Sequence, residues 1–266
     1  KDLPSISSKI DATAGYSWQH FQREGTNWTR TYQGNLDGDS LRYTEYINEN
    51  FLVSFFGRLN YSLMDKYLLT FTLRNDGSSR FSEENRWGLF PSVAFAWKMN
   101  NEGFLKQYDK LTDLKLRLGW GVTGQQEIGD YYPYLAIYQI SDPTAAYQFG
   151  DQWYLTLRPN RYDKNIKWES TTTYNIGFDY GFFDNRVTGA IDAYFRETED
   201  LIANIPIASG TNFSNYLTTN VGTLENRGIE FMIDVKPVVT KNVTWNIGYN
   251  VSYNKNEITK LLLTDD

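Results

Sequence analysis

The chain has 266 residues, 41% apolar and 22% charged, and its 26 basic against 32 acidic side chains leave a formal net charge of −6. That length can build a sizeable core, an aromatic content of 17% argues against disorder, and the acidic balance argues against a nucleic-acid partner, which selects a clustered basic face. Cysteine is absent, which rules out disulfides, thiolate metal sites and a cysteine nucleophile; no run approaches the ~18 apolar residues of a membrane helix, so a helical membrane protein is excluded and a strand-built one is not.

The opening Lys1-Asp2-Leu3-Pro4 has no secretory-signal pattern, which implies a mature or excised chain. The first fifty residues are the least regular, and Asn35-Leu36-Asp37-Gly38-Asp39 reads as a loop tip. From there the dominant period is two. Val53, Phe55, Leu59 and Tyr61 alternate with Ser54, Arg58, Asn60 and Ser62, and Tyr67, Leu69, Phe71 and Leu73 with Thr70, Thr72 and Arg74. The pattern returns at Val93/Phe95/Trp97, at Leu114/Leu116/Leu118/Trp120, at Tyr174/Ile176/Phe178/Tyr180 and at Val187/Ile191/Ala193/Phe195. It closes with Ile229/Phe231/Ile233/Val235 and with Val243, Trp245, Ile247, Tyr249, Val251 and Tyr253. Successive side chains of a strand point to opposite faces, so each run has one apolar and one polar face. Helical periodicity is confined to a possible turn at Glu102–Asp109, and the fold class is all-β with about nine spanning strands.

The connections alternate in length. Met64–Lys66, Asp184–Asn185 and Val239–Asn242 are short, and Asn100–Asp113 is of medium length. Between them fall long polar connections at Gln22–Asn50, Asn75–Arg86, Val122–Asn165 and Glu197–Asn226. In an antiparallel up-and-down meander every second connection lies at the same end, so one end is trimmed and the other carries large loops. That asymmetry, with strands of ~9–11 residues and aromatics near strand ends, fits an outer-membrane β-barrel. A soluble secreted β-sandwich that binds glycans would also alternate and would also have an aromatic core; loop asymmetry favours the barrel.

Motifs for catalysis or cofactors are weak. Gly119-Trp120-Gly121-Val122-Thr123-Gly124 matches the dinucleotide fingerprint, but Gln125–Tyr134 cannot supply the helix N-terminus that a pyrophosphate needs, and the glycines read better as a bend in a strand. Asn35–Asp39 suggests a calcium loop, yet Tyr46 stands where the EF-hand frame needs Glu. His20 is the sole histidine, so neither a histidine metal cluster nor a Ser-His-Asp triad can form. The carboxylate pairs Glu83/Glu84 and Glu197/Glu199 lie on loops or strand ends without a reason for a raised pKa. No catalytic, metal or cofactor residue is therefore assigned, and an enzyme is not expected.

Five segments have familiar wording: Tyr67–Trp97 (YLLTFTLRNDGSSRFSEENRWGLFPSVAFAW), Leu114–Leu135 (LKLRLGWGVTGQQEIGDYYPYL), Ile166–Ile202, Asn215–Phe231 (NYLTTNVGTLENRGIEF) and Trp245–Leu261 (WNIGYNVSYNKNEITKL). In this order they closely resemble the barrel of the SusC/RagA-like TonB-dependent outer-membrane transporters, over about residues 50 to 262. The resemblance implies a Gram-negative outer-membrane importer of oligosaccharides or peptides. It also implies a SusD-like surface lipoprotein as lid, a plug domain and energisation by TonB. Barrels of that size have ~22 strands, so residues 1–266 would be a partial barrel domain, a mid-to-late fragment without plug, signal peptide or closing strands.

If the apolar faces meet the lipid bilayer, Arg58, Arg74, Lys115, Arg117, Asp179, Glu230 and Asp234 point inward. There they could pair across strands, touch a plug or line the solute path. Tyr131, Tyr132, Tyr147, Trp153, Tyr154, Phe213 and Tyr216 sit in long loops and are candidates for sugar stacking or lid docking.

Overall fold

The computed structural model describes residues 2–3, 7–31, 40–141, 146–208 and 214–261. Its strands are β1 (Asp2–Leu3), β2 (Ser8–Thr31), β3 (Ser40–Leu63), β4 (Tyr67–Ser78), β5 (Trp87–Lys98), β6 (Leu111–Gln125), β7 (Tyr138–Ile140) and β8 (Tyr147–Phe149). They continue with β9 (Gln152–Tyr154), β10 (Leu157–Pro159), β11 (Glu169–Phe182), β12 (Val187–Glu199), β13 (Ile202–Pro206), β14 (Tyr216–Asn220), β15 (Thr223–Val239) and β16 (Thr244–Lys260). Ten form one sheet in the order β1-β2-β3-β4-β5-β6-β11-β12-β15-β16, every neighbouring pair antiparallel. Apart from the two-residue β1, nine long strands span the sheet: the eight that the alternation marks and β2, which lies in the stretch that reads as least regular. The remaining six strands pair off as β7/β10, β8/β9 and β13/β14 inside the long connections.

Directly opposed residues of an antiparallel ladder share a face, so the register shows how the runs assemble. One row starts at Ile10 and passes through Tyr61, Leu69, Phe95, Leu118, Ile176, Ala193 and Ile229 to Tyr253. It crosses all nine strands without a polar residue. The adjacent row on the opposite face is Asp11, Asn60, Thr70, Ala94, Gly119, Asn175, Tyr194, Gly228 and Asn254. The apolar face is uncovered: Phe55, Leu69, Leu118, Ile176, Ile229 and Tyr253 are all exposed. Among the described residues the buried apolar set is only Phe81, Phe90, Ile166, Trp168 and Val221. A sandwich would bury these faces against a second sheet of the same chain, and among the described residues no second sheet packs on them.

The end with short turns has connections 64–66, 99–110, 183–186 and 240–243, and the other end carries 79–86, 126–168 and 200–222. The first long connection is shorter than expected, because Gln22–Thr31 and Ser40–Asn50 continue β2 and β3 as ladder. This stretch is polar on both faces, which hides the period of two; pairs such as Trp28↔Tyr43 carry the register instead. Asn35–Asp39 lies outside the described residues.

Two prolines mark irregularities. Pro237 lies within the register shift between Val235 and Val238 of β15, where a missing N–H costs no ladder bond. Pro91 pairs with Leu73 of β4, but the β5–β6 ladder runs only from Ser92↔Gly121 to Lys98↔Lys115. Beyond Ser92 the two strands part, while β6 stays paired with β11 up to Gln125↔Glu169.

Candidate functional site

All seven predicted charged residues fall on the polar face, and the structure brings some of them together. Asp179 of β11 lies opposite Lys115 of β6, and their charged ends are 2.6 Å apart. Arg117, two residues along β6, reaches the same carboxylate from Nε at 3.0 and 3.1 Å. Its Nη2 donates to Asp192 Oδ2 of β12 at 2.8 Å. One arginine thereby ties three strands, and Gly177 between them leaves room: a Cβ there would meet the Arg117 guanidinium at 2.7 Å. Arg74 donates to both oxygens of Asp76 at 2.7 and 2.8 Å and to the buried Ser54 hydroxyl at 2.8 Å. Arg58 donates to Thr72 at 3.3 Å. Glu230 lies beside Asp192 in a recess of about 420 Å³ shared with Asn250 and Ser252. Asp234 lines a separate recess with Gly248 and Asn250. Glu230 is thus a register neighbour of the Arg117 cluster through Asp192, and the ion pairs of Arg117 and Lys115 go to Asp179 and Asp192. Asp192, Asp76 and Ser54 were not singled out from the sequence, although alternation around Ile191 and Ala193 puts Asp192 on the charged face.

At the looped end a small core folds onto the polar face. Phe90 of β5 meets Trp168 at 5.3 Å between ring centres, edge to face, and Trp168 meets Phe81 at 5.1 Å. Ile166 completes the buried cluster and Leu52 packs against it. Trp168 donates its indole N–H to the Arg86 carbonyl at 3.0 Å. Phe90 occupies the space where a Cβ of Gly124 would stand. The second half of the glycine motif thus makes room for an aromatic ring, within a strand that continues to Gln125.

Arg80, barely exposed, binds Glu127 at 2.6 Å and stands over the Tyr131 ring at 5.1 Å. Tyr132 donates to the Glu49 carbonyl at 3.1 Å. These contacts pin connections 79–86 and 126–168 to each other and to β3. Tyr131 and Tyr132 are accordingly half-buried. Of the other loop aromatics, Tyr147, Trp153, Tyr154 and Tyr216 are exposed, and Phe213 lies outside the described residues. In the β8–β9 hairpin Tyr147 faces Tyr154, Phe149 faces Gln152, and the Phe149 and Tyr154 rings meet edge to face at 5.8 Å. The Tyr154 hydroxyl donates to Gln152 at 2.9 Å.

At the trimmed end Glu102 organises the turn that follows β5. It accepts from Lys66 at 2.8 Å, from the Tyr67 hydroxyl at 2.7 Å and from the Trp97 indole at 3.1 Å. These donors, Lys66 first, hold its carboxyl down to about 2.

A single antiparallel meander with one face apolar across every long strand, charges on the other, and loops gathered at one end is the wall of an outer-membrane β-barrel. Residues 4–266 match the family described as TonB dependent receptor-like, beta-barrel, and the chain belongs to it. Proteins of this family sit in the outer membrane of Gram-negative bacteria. The chain is 52% identical to TonB-dependent receptor SusC of Bacteroides thetaiotaomicron, over 98% of its own length and 26% of that protein. With TonB-dependent receptor P3 of Formosa agariphila the identity is 38%, over 97% and 26%. Among solved structures, the RagAB peptide importer in its closed-closed state superposes with a TM-score of 0.79 at 26% identity, covering 96% of this chain and 29% of that one. The chain thus spans about a quarter of the length of the curated relatives it matches.

Proposed function

We propose that residues 1–266 are a barrel-wall portion of a TonB-dependent nutrient importer that takes oligosaccharides, and that the full protein works with a SusD-like surface lipoprotein and with TonB. The observation that carries the barrel reading is the row from Ile10 to Tyr253, apolar across nine strands, on a face that no second sheet of the described residues covers. Backbone groups are satisfied in lipid only by closure, so the two outer edges of this sheet call for further strands. The charged face then lines the lumen. Arg117, Lys115, Asp179 and Asp192 neutralise one another and hold adjacent strands, whereas Glu230 and Asp234 are the groups available to a plug or a passing solute.

The oligosaccharide reading draws on the β8–β9 hairpin. Residues 146–157 carry a single charge, Asp151, among three exposed tyrosine and tryptophan rings and the amides of Gln148 and Gln152. Rings stack on the C–H faces of sugars while amides and hydroxyls bond to their oxygens, and a neutral ligand needs no ion pair.

Two measurements test this. The full-length protein is expected in the outer-membrane fraction with heat-modifiable migration; a freely soluble full-length product overturns the barrel reading. A strain lacking the gene is expected to lose growth on one class of oligosaccharide and to regain it on complementation. Undiminished growth on saccharides with lost growth on peptides would assign the importer to peptides.

A further inference from the structure

We infer that the membrane face carries a seat for one acyl chain of a bilayer lipid. The inference rests on the barrel reading above, which makes the apolar face the lipid-contacting one. Most of that face is filled by large side chains, but along β2–β4 it is hollow. Ala14 of β2 pairs with Gly57 of β3, and Gly57 with Leu73 of β4. Ala14 and Gly57 share the face of Phe55 and Leu59 and place almost nothing on it. Phe55, Leu59 and Phe71 rise around them and wall a hollow of about 630 Å³.

An apolar recess gives water no partners and accepts an apolar guest. Two missing side chains on strands ~4.8 Å apart make a trough about one hydrocarbon chain wide. The hollow opens on the face that carries the apolar row and is continuous with it, so the molecules that reach it are the tails of the bilayer. Gly57 lies four residues from Tyr61 towards the looped end. On the same face, Asn75 pairs with Phe55 at the looped side of the trough. There its amide suits the ester carbonyl of a chain lying with its tail towards Leu59.

The test uses the full-length protein in phospholipid nanodiscs doped with phosphatidylcholine that carries a nitroxide near the end of one chain. The spectrum is expected to show a motionally restricted component, and cryo-electron microscopy of the same particles an ordered chain over Gly57. Gly57→Leu fills the trough without backbone strain: Gly57 has no positive φ, and a Cβ there meets only the Thr13 carbonyl at 3.9 Å. This variant is expected to lose one restricted chain per molecule, whereas Ile176→Phe, four strands away on the same face, keeps it. A wild-type map with no ordered density over Gly57, or equal restricted lipid in Gly57→Leu, overturns the seat and leaves the barrel standing. Failure of the full-length protein to enter the nanodiscs overturns both.

Discussion

Replacing Trp168 by alanine should loosen the looped end without opening the wall. Trp168 is 8% exposed, touches the Phe81 and Phe90 rings, and donates to the Arg86 carbonyl. Truncating a buried Trp to Ala costs about 3–5 kcal/mol, and the lost hydrogen bond belongs to the same ~1 kcal/mol class as others of its kind. Because the cluster joins connection 79–86 to the start of β11, the cost falls on local opening of that connection. At about 1.4 kcal/mol per tenfold, amide exchange there should accelerate by two to three and a half orders of magnitude. The reporters are Ser78, whose N–H is held by the Arg86 carbonyl, and Ser79, held by the Phe51 carbonyl. Trp168→Phe keeps a ring but loses the indole donor, and should speed exchange by about tenfold at most. Amides of β11 and β12 should not change in either variant. Hydrogen exchange of the full-length protein in nanodiscs measures all three. Unchanged exchange at Ser78 and Ser79 in Trp168→Ala would refute the idea that this small core pins the loops.

Three further outcomes follow from the geometry. Gly124→Val should destabilise the barrel by about 1–3 kcal/mol through collision with Phe90, whereas Gly119→Ala, whose Cβ meets only Asn175 at 3.8 Å, should be nearly silent; the temperature of the heat-modifiability transition reads both. Arg117→Ala should cost about 1–2 kcal/mol, a discounted value because the cluster is a fifth to a third exposed, and a double-mutant cycle with Asp192→Ala should return a favourable coupling. Glu102 has a folded-state pKa below its ordinary value, so its contribution is full above about pH 4.5 and fades as pH falls through about 2; urea unfolding from pH 6 to pH 2 should weaken more steeply in wild type than in Glu102→Gln, and parallel curves would dismiss the Lys66–Glu102–Trp97 tie.

The wall was readable from residue order because its driving pattern is local. Alternation from Val53 to Tyr61 or from Val243 to Tyr253 already states which face each side chain takes, and antiparallel pairing merely lines those faces up. The polar-face position of Arg117 and Asp179 came with it. Their joint hold on Asp192 did not, since it depends on a one-to-one register among β6, β11 and β12. The extended β2–β3 ladder was hidden because both of its faces are polar beyond Asn50. The Phe81–Phe90–Trp168 cluster was least legible, as it joins residues more than seventy positions apart and sits in connections whose composition signals only a loop. Tyr131 and Tyr132 look like Tyr147 and Trp153 in sequence, and only the positions of Arg80 and the Glu49 carbonyl separate the half-buried pair from the exposed one.

The early parting of β5 and β6 at Pro91 has a mechanical meaning. Seven residue pairs join those strands, against eleven between β4 and β5 and fourteen between β6 and β11. The structure therefore behaves as two panels stitched along a short seam, with the Phe90–Trp168 contact as its clasp. Tension drawn across the sheet in a single-molecule pulling experiment should tear that stitching before any other line between the nine long strands, leaving β2–β5 and β6–β16 as the separated pieces.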